Sequence, residues 1–259
     1  IDNEFPDELK PAMLLMCGDH GIAKYGVSAY PPEVTIQMIN GYMRGTAGAN
    51  VMARHANTDL FVVDVGVNAD LTNLKGVRNE KVAWGTEDFT KGPAMTKNQA
   101  IKALQVGIKV ADECIDKGYN LLVTAEMGIG NTTSTAAIAS AMLNLEPELT
   151  VGRGTGINDE RMQIKRRVVA EGLAVNSPIA DDALDVLCKL GGYDHAGLGG
   201  MIIGGARRRV PTMIDGVNAT AAALIAWGLY PECSEYMLCS HLSEEITPKK
   251  MLSILNLHP

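Results

Sequence analysis

Leu121-Leu122-Val123-Thr124-Ala125-Glu126-Met127-Gly128-Ile129-Gly130-Asn131-Thr132-Thr133-Ser134-Thr135 reads as a buried strand, a tight turn and the opening of a helix. A short apolar run precedes a Gly-x-Gly, and the polar Asn131-Thr132-Thr133 opens an Ala-rich segment suited to a helix. A strand-to-helix turn of this kind leaves backbone N–H groups open at the helix start, an anion site that needs no dedicated cation. The two glycines remove the Cβ atoms that would keep a ligand away. Glu126 would project from the carboxyl end of the strand, where open α/β sheets hold ligands. One Gly-x-Gly serves equally well as a plain tight turn, so the rest of the chain has to decide.

Upstream, Pro11–Cys17 is a first strand ending in Gly18-Asp19-His20-Gly21, and Leu60–Val65 is a second, closing on Gly66. Helices are expected over Val34–Gly41 and Gly45–His55. Residues 68–97 read as a polar loop or hairpin excursion. Asn98–Lys117 carries an amphipathic stripe of Ile101, Leu104, Ile108, Ala111 and Ile115, stopped by Gly118. Downstream, the Ala-rich helix runs to about Leu145. Val151-Gly152-Arg153-Gly154-Thr155-Gly156 is a second glycine turn, and the acidic Asn158-Asp159-Glu160 suits the first turn of a helix over Arg161–Val175. Further helices are expected over Asp181–Leu190, Gly197–Arg209 and Asn218–Leu229, with strands at Val210–Ile214 and Glu235–Ser240. Strands separated by helices mean an α/β chain with a mostly parallel sheet and helices on both faces. The expectation is a Rossmann-like, three-layer arrangement with a small helical part built from the chain ends, residues 1–259 forming one α/β catalytic domain.

Composition narrows the function. The formal net charge of −7 and the short basic cluster Arg207-Arg208-Arg209 argue against a nucleic-acid partner. The five cysteines lie far apart without a CxxC pair, so zinc and redox readings lack their usual spacing, and free thiols in a reducing cytoplasm are expected. No apolar run approaches the roughly 18 residues that span a bilayer. Hydrophobic residues at 46% are ample for a core, while 27 glycines and 5% aromatics point to close turns and tight helix packing.

Four strand ends deliver polar or glycine residues to one edge of a parallel sheet: Asp19-His20, Asp64, Glu126 with Gly128 and Gly130, and Asp215-Gly216. Asp64 and Asp215 read equally as ligand contacts or as loop caps, and His20 as a hydrogen-bonded turn residue. Lys165, two turns into the helix after the second glycine turn, leans toward that helix's N-terminus and could reach a phosphate held by residues 128–130 and 152–156. A solvated surface lysine beside Arg166 and Arg167 is the alternative. There is no GxxxxGK[ST], which argues against a nucleoside-triphosphate loop. Neither glycine turn reads G-x-G-x-x-G with an acidic residue about twenty positions on, which argues against a dinucleotide-dependent oxidoreductase.

The segments GDHGIAKYGVSAYPPEVTIQM, LFVVDVGV, TAEMGIGNTTSTAAIASAML, VGRGTGINDERMQIKRRVV and GLGGMIIGGARRRVPTMIDGVNATAAAL together resemble the nicotinate-nucleotide:dimethylbenzimidazole phosphoribosyltransferases. The resemblance runs from about Pro11 to His241. It implies transfer of ribose 5-phosphate from nicotinate mononucleotide to an aromatic lower-ligand base (a benzimidazole, purine or phenol) in cobamide synthesis, with no cofactor and no metal. It implies that Gly128, Gly130, Gly152, Arg153 and Gly154 surround the nucleotide phosphate with Lys165 adding charge, that Glu126 faces the reacting ribose, and that Tyr30 and Gln37 line the base pocket. The family also uses a glutamate in a C-terminal Leu-Gly-Glu-Gly-Thr-Gly segment to take the proton of the incoming base. This sequence has no such segment, and Cys239-Ser240-His241-Leu242-Ser243-Glu244-Glu245 matches the family's His/Ser/Glu segment only in part. The native chain is therefore expected to continue past Pro259. The alternative is a catalytically weak paralogous subunit that supports an active partner. A homodimer, or a heterodimer with a paralogue, is expected, with Gly197–Gly205 as one segment able to bury against a partner.

Overall fold

The computed structural model describes residues 8–241 and 246–258. Six strands form one sheet: β1 (Pro11–Gly18), β2 (Asp59–Gly66), β3 (Val77–Asn79), β4 (Leu121–Met127), β5 (Thr212–Ile214) and β6 (Met237–Cys239). Their spatial order is β3-β2-β1-β4-β5-β6 and every pairing is parallel. The chain first builds outward from β1 to β3, then returns to β1's other side for β4. The order reverses between β1 and β4, and in open parallel sheets ligands bind outside the strand ends at such a point. Glu126, opposite Met16, lies at that crevice.

The helices are α1 (Val34–Met43), α2 (Gly48–His55), α3 (Lys97–Asp116), α4 (Asn131–Leu143), α5 (Pro147–Thr150), α6 (Asp159–Asn176), α7 (Ala183–Leu190), α8 (Tyr193–Arg207), α9 (Gly216–Leu229) and α10 (Ile246–Ile254). On one face of the sheet α8 lies directly against the strands and α3 packs over α8. A helix covered on both sides cannot be amphipathic, and α8 is buried along nearly all its length. Its glycines let the two backbones touch. A Cβ at Gly107 would lie 1.9 Å from the Gly197 carbonyl oxygen, and one at Gly200 the same distance from that of Leu104. The other face carries α1 and α2 over β1 and β2, with Leu15, Ile39, Tyr42 and Val62 at its core. α10 packs on α4, α5 and α9.

Three sequence expectations change. Residues 68–97 are not a hairpin: Val77–Asn79 adds a parallel edge strand, Val62 opposite Val77, too short to leave a periodic signal. The buried stripe of α3 is Ala100, Ala103, Leu104, Gly107, Val110, Ala111 and Cys114, so Ile101, Ile108 and Ile115 flank the contact rather than centre it. Close helix approach selects the small side chains for the contact line. Gly197–Gly205 is largely taken up inside this chain by α3 and the sheet, with Ile203 half-buried.

Candidate active site

A cavity of about 450 Å³ opens at the carboxyl end of β4, lined by Glu126, Gly128, Gly130, Asn131, Thr132, Gly154, Thr155 and Asn218, with Ser28 and His241 at its sides. Its first wall is the turn 128–130. Gly130 caps α4 at φ 99°, a left-handed conformation that favours glycine. A Cβ on Gly128 would lie 2.0 Å from the Gly18 carbonyl oxygen, so only glycine lets the ends of β1 and β4 close up here. The Ile129 amide donates to Thr35 Oγ1 (3.1 Å), and those of Asn131 and Thr133 donate to the carbonyls of Gly128 and Gly130. Among the described residues no backbone carbonyl takes the amides of Gly130 and Thr132, which leaves two donors at the α4 N-terminus.

The second wall is the loop 151–158. Asn158 caps α6 by accepting from the Arg161 amide (3.0 Å), and the amides of Gly156 and Ile157 both turn back onto the Arg153 carbonyl. Thr155 Oγ1 accepts from the Ala29 amide (2.9 Å) and meets Ser28 Oγ at 3.2 Å, tying the loop to the segment before α1. The two walls are clasped by Lys165, whose ammonium donates to Thr132 Oγ1 (2.8 Å) and to the Gly152 carbonyl (3.2 Å). Lys165 is 1% exposed, which overturns the surface-lysine alternative. A long cationic side chain is buried only with such partners. Its charge lies behind Gly154, where a Cβ would be 3.2 Å from Nζ.

Glu126 sits on the floor. Its Oε1 accepts from Asn218 Nδ2 (2.9 Å), and its Oε2 accepts a short hydrogen bond from Asn131 Nδ2. Burial pushes its carboxyl above the ordinary carboxylate range and the nearby Asp194 charge adds to this, against the hydrogen bonds of the two asparagines. Behind it lies a cluster that sequence reasoning did not assemble. Asp194 Oδ2 accepts from His20 Nε2 (3.2 Å), Asp194 Oδ1 accepts from the His195 amide (2.8 Å), and His20 Nδ1 meets Ser134 Oγ at 2.9 Å. Burial alone would raise the Asp194 pKa, but His20 and His195 hold it well below the usual range. Burial likewise opposes charge on His20, and Asp194 outweighs it, holding the imidazolium above its ordinary value. His20, Asp194 and His195 have ligand-type atoms within 4.8 Å of one another, all buried and facing one another.

Other expected site residues lie elsewhere. Tyr30 is 54% exposed and Gln37 also faces outward, and neither lines this cavity. Arg153 points away, bonded to Asp159 Oδ1 (2.6 Å) and the Ile157 carbonyl (2.9 Å). Asp64 is fully buried, accepts from the Val67 amide (2.9 Å) and pairs with Lys81 (2.8 Å), so it holds the end of β2 rather than a ligand. Asp215 is exposed and accepts from Ser240 Oγ (2.7 Å) at the β5–β6 edge. Residues 242–245 of the partly matching segment fall outside the described residues. Asn218 and Thr155 were missed as site residues, although both lie in segments already marked as helix start and glycine turn.

Comparison with known proteins fits this geometry. A family model described as phosphoribosyltransferase matches residues 2–259. Nicotinate-nucleotide–dimethylbenzimidazole phosphoribosyltransferase of Geobacter sulfurreducens is 45% identical over 254 residues, covering 98% of this chain and 72% of that protein. The enzyme of the same name from Chloroflexus aggregans is 45% identical over 256 residues, covering 99% and 72%. The crystal structure of CobT from Thermus thermophilus superposes with a TM-score of 0.93 at 40% identity, covering 97% of this chain and 76% of that one. With β4, the glycine turns and the helices around them all inside the matched span, the chain belongs to the nicotinate-nucleotide–dimethylbenzimidazole phosphoribosyltransferase family.

Proposed function

We propose that this chain moves ribose 5-phosphate from nicotinate mononucleotide to an aromatic base such as dimethylbenzimidazole, with Glu126 acting at the reacting ribose. The observation that carries this is the placement of one carboxylate, with a raised pKa, beside two open amides at a helix N-terminus and a buried ammonium. The amides of Gly130 and Thr132, with the Lys165 charge behind them, suit the 5′-phosphate. The incoming ring nitrogen's electron pair forms the bond to the anomeric carbon. The bond to nicotinate breaks with its pair going to the pyridine nitrogen, which leaves neutral. Positive charge develops on the ribose between these events, and a fixed carboxylate on the cavity floor stabilises it. The family resemblance assigns the proton of the incoming base to the C-terminal glutamate, leaving Glu126 to the ribose. No cofactor or metal enters the scheme. A dimer, of this chain or with a paralogue, is the assembly we propose, and light scattering that finds only monomer at micromolar concentration would refute it.

The test is nicotinate release and riboside phosphate formation from nicotinate mononucleotide and dimethylbenzimidazole. Glu126→Gln should lower kcat and kcat/KM together by about 10²-fold, with nucleotide affinity little changed. Because Glu126 acts ionised, kcat of the native protein should rise with pH along a limb above the ordinary glutamate value of 4.5. A raised nucleotide Kd with intact turnover would make Glu126 a ground-state contact instead.

A further inference from the structure

Glu126 is the cavity end of a longer hydrogen-bonded line. Asn218 Nδ2 donates to Glu126 Oε1 (2.9 Å), and its Oδ1 accepts from Thr135 Oγ1 (2.7 Å). Thr135 Oγ1 in turn lies 2.8 Å from His195 Nε2, and His195 Nδ1 lies 3.1 Å from Asp194 Oδ1. A carboxylate only accepts, so the Asn218 amide must present its NH₂ to Glu126 and its oxygen to Thr135. The Thr135 hydroxyl has one proton, and it goes to Asn218, so the hydroxyl oxygen must accept from His195. His195 therefore carries a proton on Nε2, and the hydrogen-bonded line ends there, because its Nδ1 makes no hydrogen bond. Every donor from His195 outward points toward Glu126, and reversing any one would set two donors or two acceptors face to face. Thr135 and His195 are 2% and 1% exposed and do not line the cavity. The His195 ring is also gripped from behind: His20 stacks edge-on against it at 5.7 Å, and Gly192 leaves the room, since a Cβ there would lie 2.3 Å from the His20 ring.

We propose that Thr135 and His195 are positioning residues which, through Asn218, lock the orientation of the Glu126 carboxylate for reaction without touching substrate. This rests on Glu126 acting at the ribose. A loose Asn218 could rotate its amide and present oxygen to the carboxylate, turning it away from the developing charge. Misplacement on that scale costs turnover much more than binding.

The test compares Thr135→Val, which keeps the volume and loses the hydroxyl, with Thr135→Ser, which does the reverse, assaying transfer from nicotinate mononucleotide to dimethylbenzimidazole. Thr135→Val should lower kcat about 10- to 100-fold with the nucleotide KM within about twofold, and Thr135→Ser should stay within about twofold of native in both. A packing role predicts the opposite ranking. In a Glu126→Gln background, Thr135→Val should cost almost nothing more, because the carboxylate it served is gone. The proposal is overturned if Thr135→Val and Thr135→Ser lose kcat equally, if the Thr135→Val and Glu126→Gln losses add, or if KM rises with kcat intact. Should Thr135→Val not fold, Thr135→Ala removes the hydroxyl without adding a methyl and decides by the same double-variant comparison. If Glu126→Gln alone turns over normally, the Glu126 reading has failed. If Glu126→Gln is impaired and Thr135→Val is native-like, only the positioning line has.

Discussion

The two glycine walls of the cavity look alike in sequence and are held in opposite ways. The turn 128–130 is set by backbone packing: a Gly128 Cβ has nowhere to go against the Gly18 carbonyl, and Gly130 is pressed by Ile22 and His20. The loop 152–156 is mostly exposed, and nothing lies within 4 Å of where a Gly156 Cβ would be. It is fixed through side chains, chiefly Lys165 reaching in to the Gly152 carbonyl and the loop's own Thr155 reaching out to the Ala29 amide. A wall built from backbone cannot adjust, which suits the place where charge develops and geometry must be preset. A wall held by side chains can yield as a phosphate enters and leaves.

The largest effect should separate the walls directly. Gly128→Ala must push two strand ends apart and should cost about 3 kcal/mol or more of stability, read from the urea midpoint. Gly156→Ala has only its positive φ of 84° to contend with and should cost about 1–2 kcal/mol. Equal losses would mean that the first wall is not preset. Next comes the clasp. Lys165→Met keeps the bulk but leaves Thr132 and the Gly152 carbonyl without their charged donor, costing about 1–3 kcal/mol of stability. Calorimetric titration should show nicotinate mononucleotide bound about tenfold more weakly and the base unchanged. Normal nucleotide binding would leave the phosphate to the amides alone.

Glu126 gives a pH-dependent contrast. Its pKa is raised in the folded protein, so the folded state favours the protonated carboxyl, and stability falls as pH rises through the ordinary glutamate range and beyond. Glu126→Gln removes that ionisation. Its oxygen can still accept from Asn218, and its NH₂ can donate to Asn131 once that amide turns over. The variant should therefore melt higher than native at neutral pH, with the gap closing toward about pH 4. A variant that melts lower at neutral pH would show that the two asparagines outweigh desolvation, and that the site carries no strain.

How far this was legible depends on the length of the pattern involved. The strands β1, β2 and β4 and the helix α3 announce themselves as long apolar or periodic runs, and parallel order follows from their alternation. β3 is three residues on the sheet edge and has no period to read. Asn158 and the acidic start of α6 mark that helix in sequence, and the structure uses Asn158 as its N-cap with Asp159 and Glu160 in the first turn. Glu126 and the glycine turns were legible because chemistry and fold coincide in one stretch. The His195–Thr135–Asn218 line was not, because its members come from three helices and its meaning lies in which atom faces which. Tyr30 and Gln37 rest on resemblance alone: both are exposed, and neither lines the cavity that holds Glu126.

The smallest expected effect sharpens the comparison from the other side. Arg153 belongs to the GRGTG motif and would be an obvious phosphate ligand, yet its side chain is 56% exposed and turned onto Asp159, itself 87% exposed. An ion pair that open to water is weakly favourable at best, because solvent screens it and both side chains lose freedom in making it. Losing this pair and the bond to the Ile157 carbonyl together, Arg153→Ala should shift stability by at most about 1 kcal/mol, and the nucleotide KM by less than about twofold. The loop should keep its shape, since the bonds of Thr155 to Ala29 and of Lys165 to the Gly152 carbonyl do not pass through Arg153. A tenfold rise in KM would mean instead that the guanidinium leaves Asp159 and swings onto the phosphate when nucleotide binds. The second wall would then be a moving part of the site, and the paired arginine its resting position.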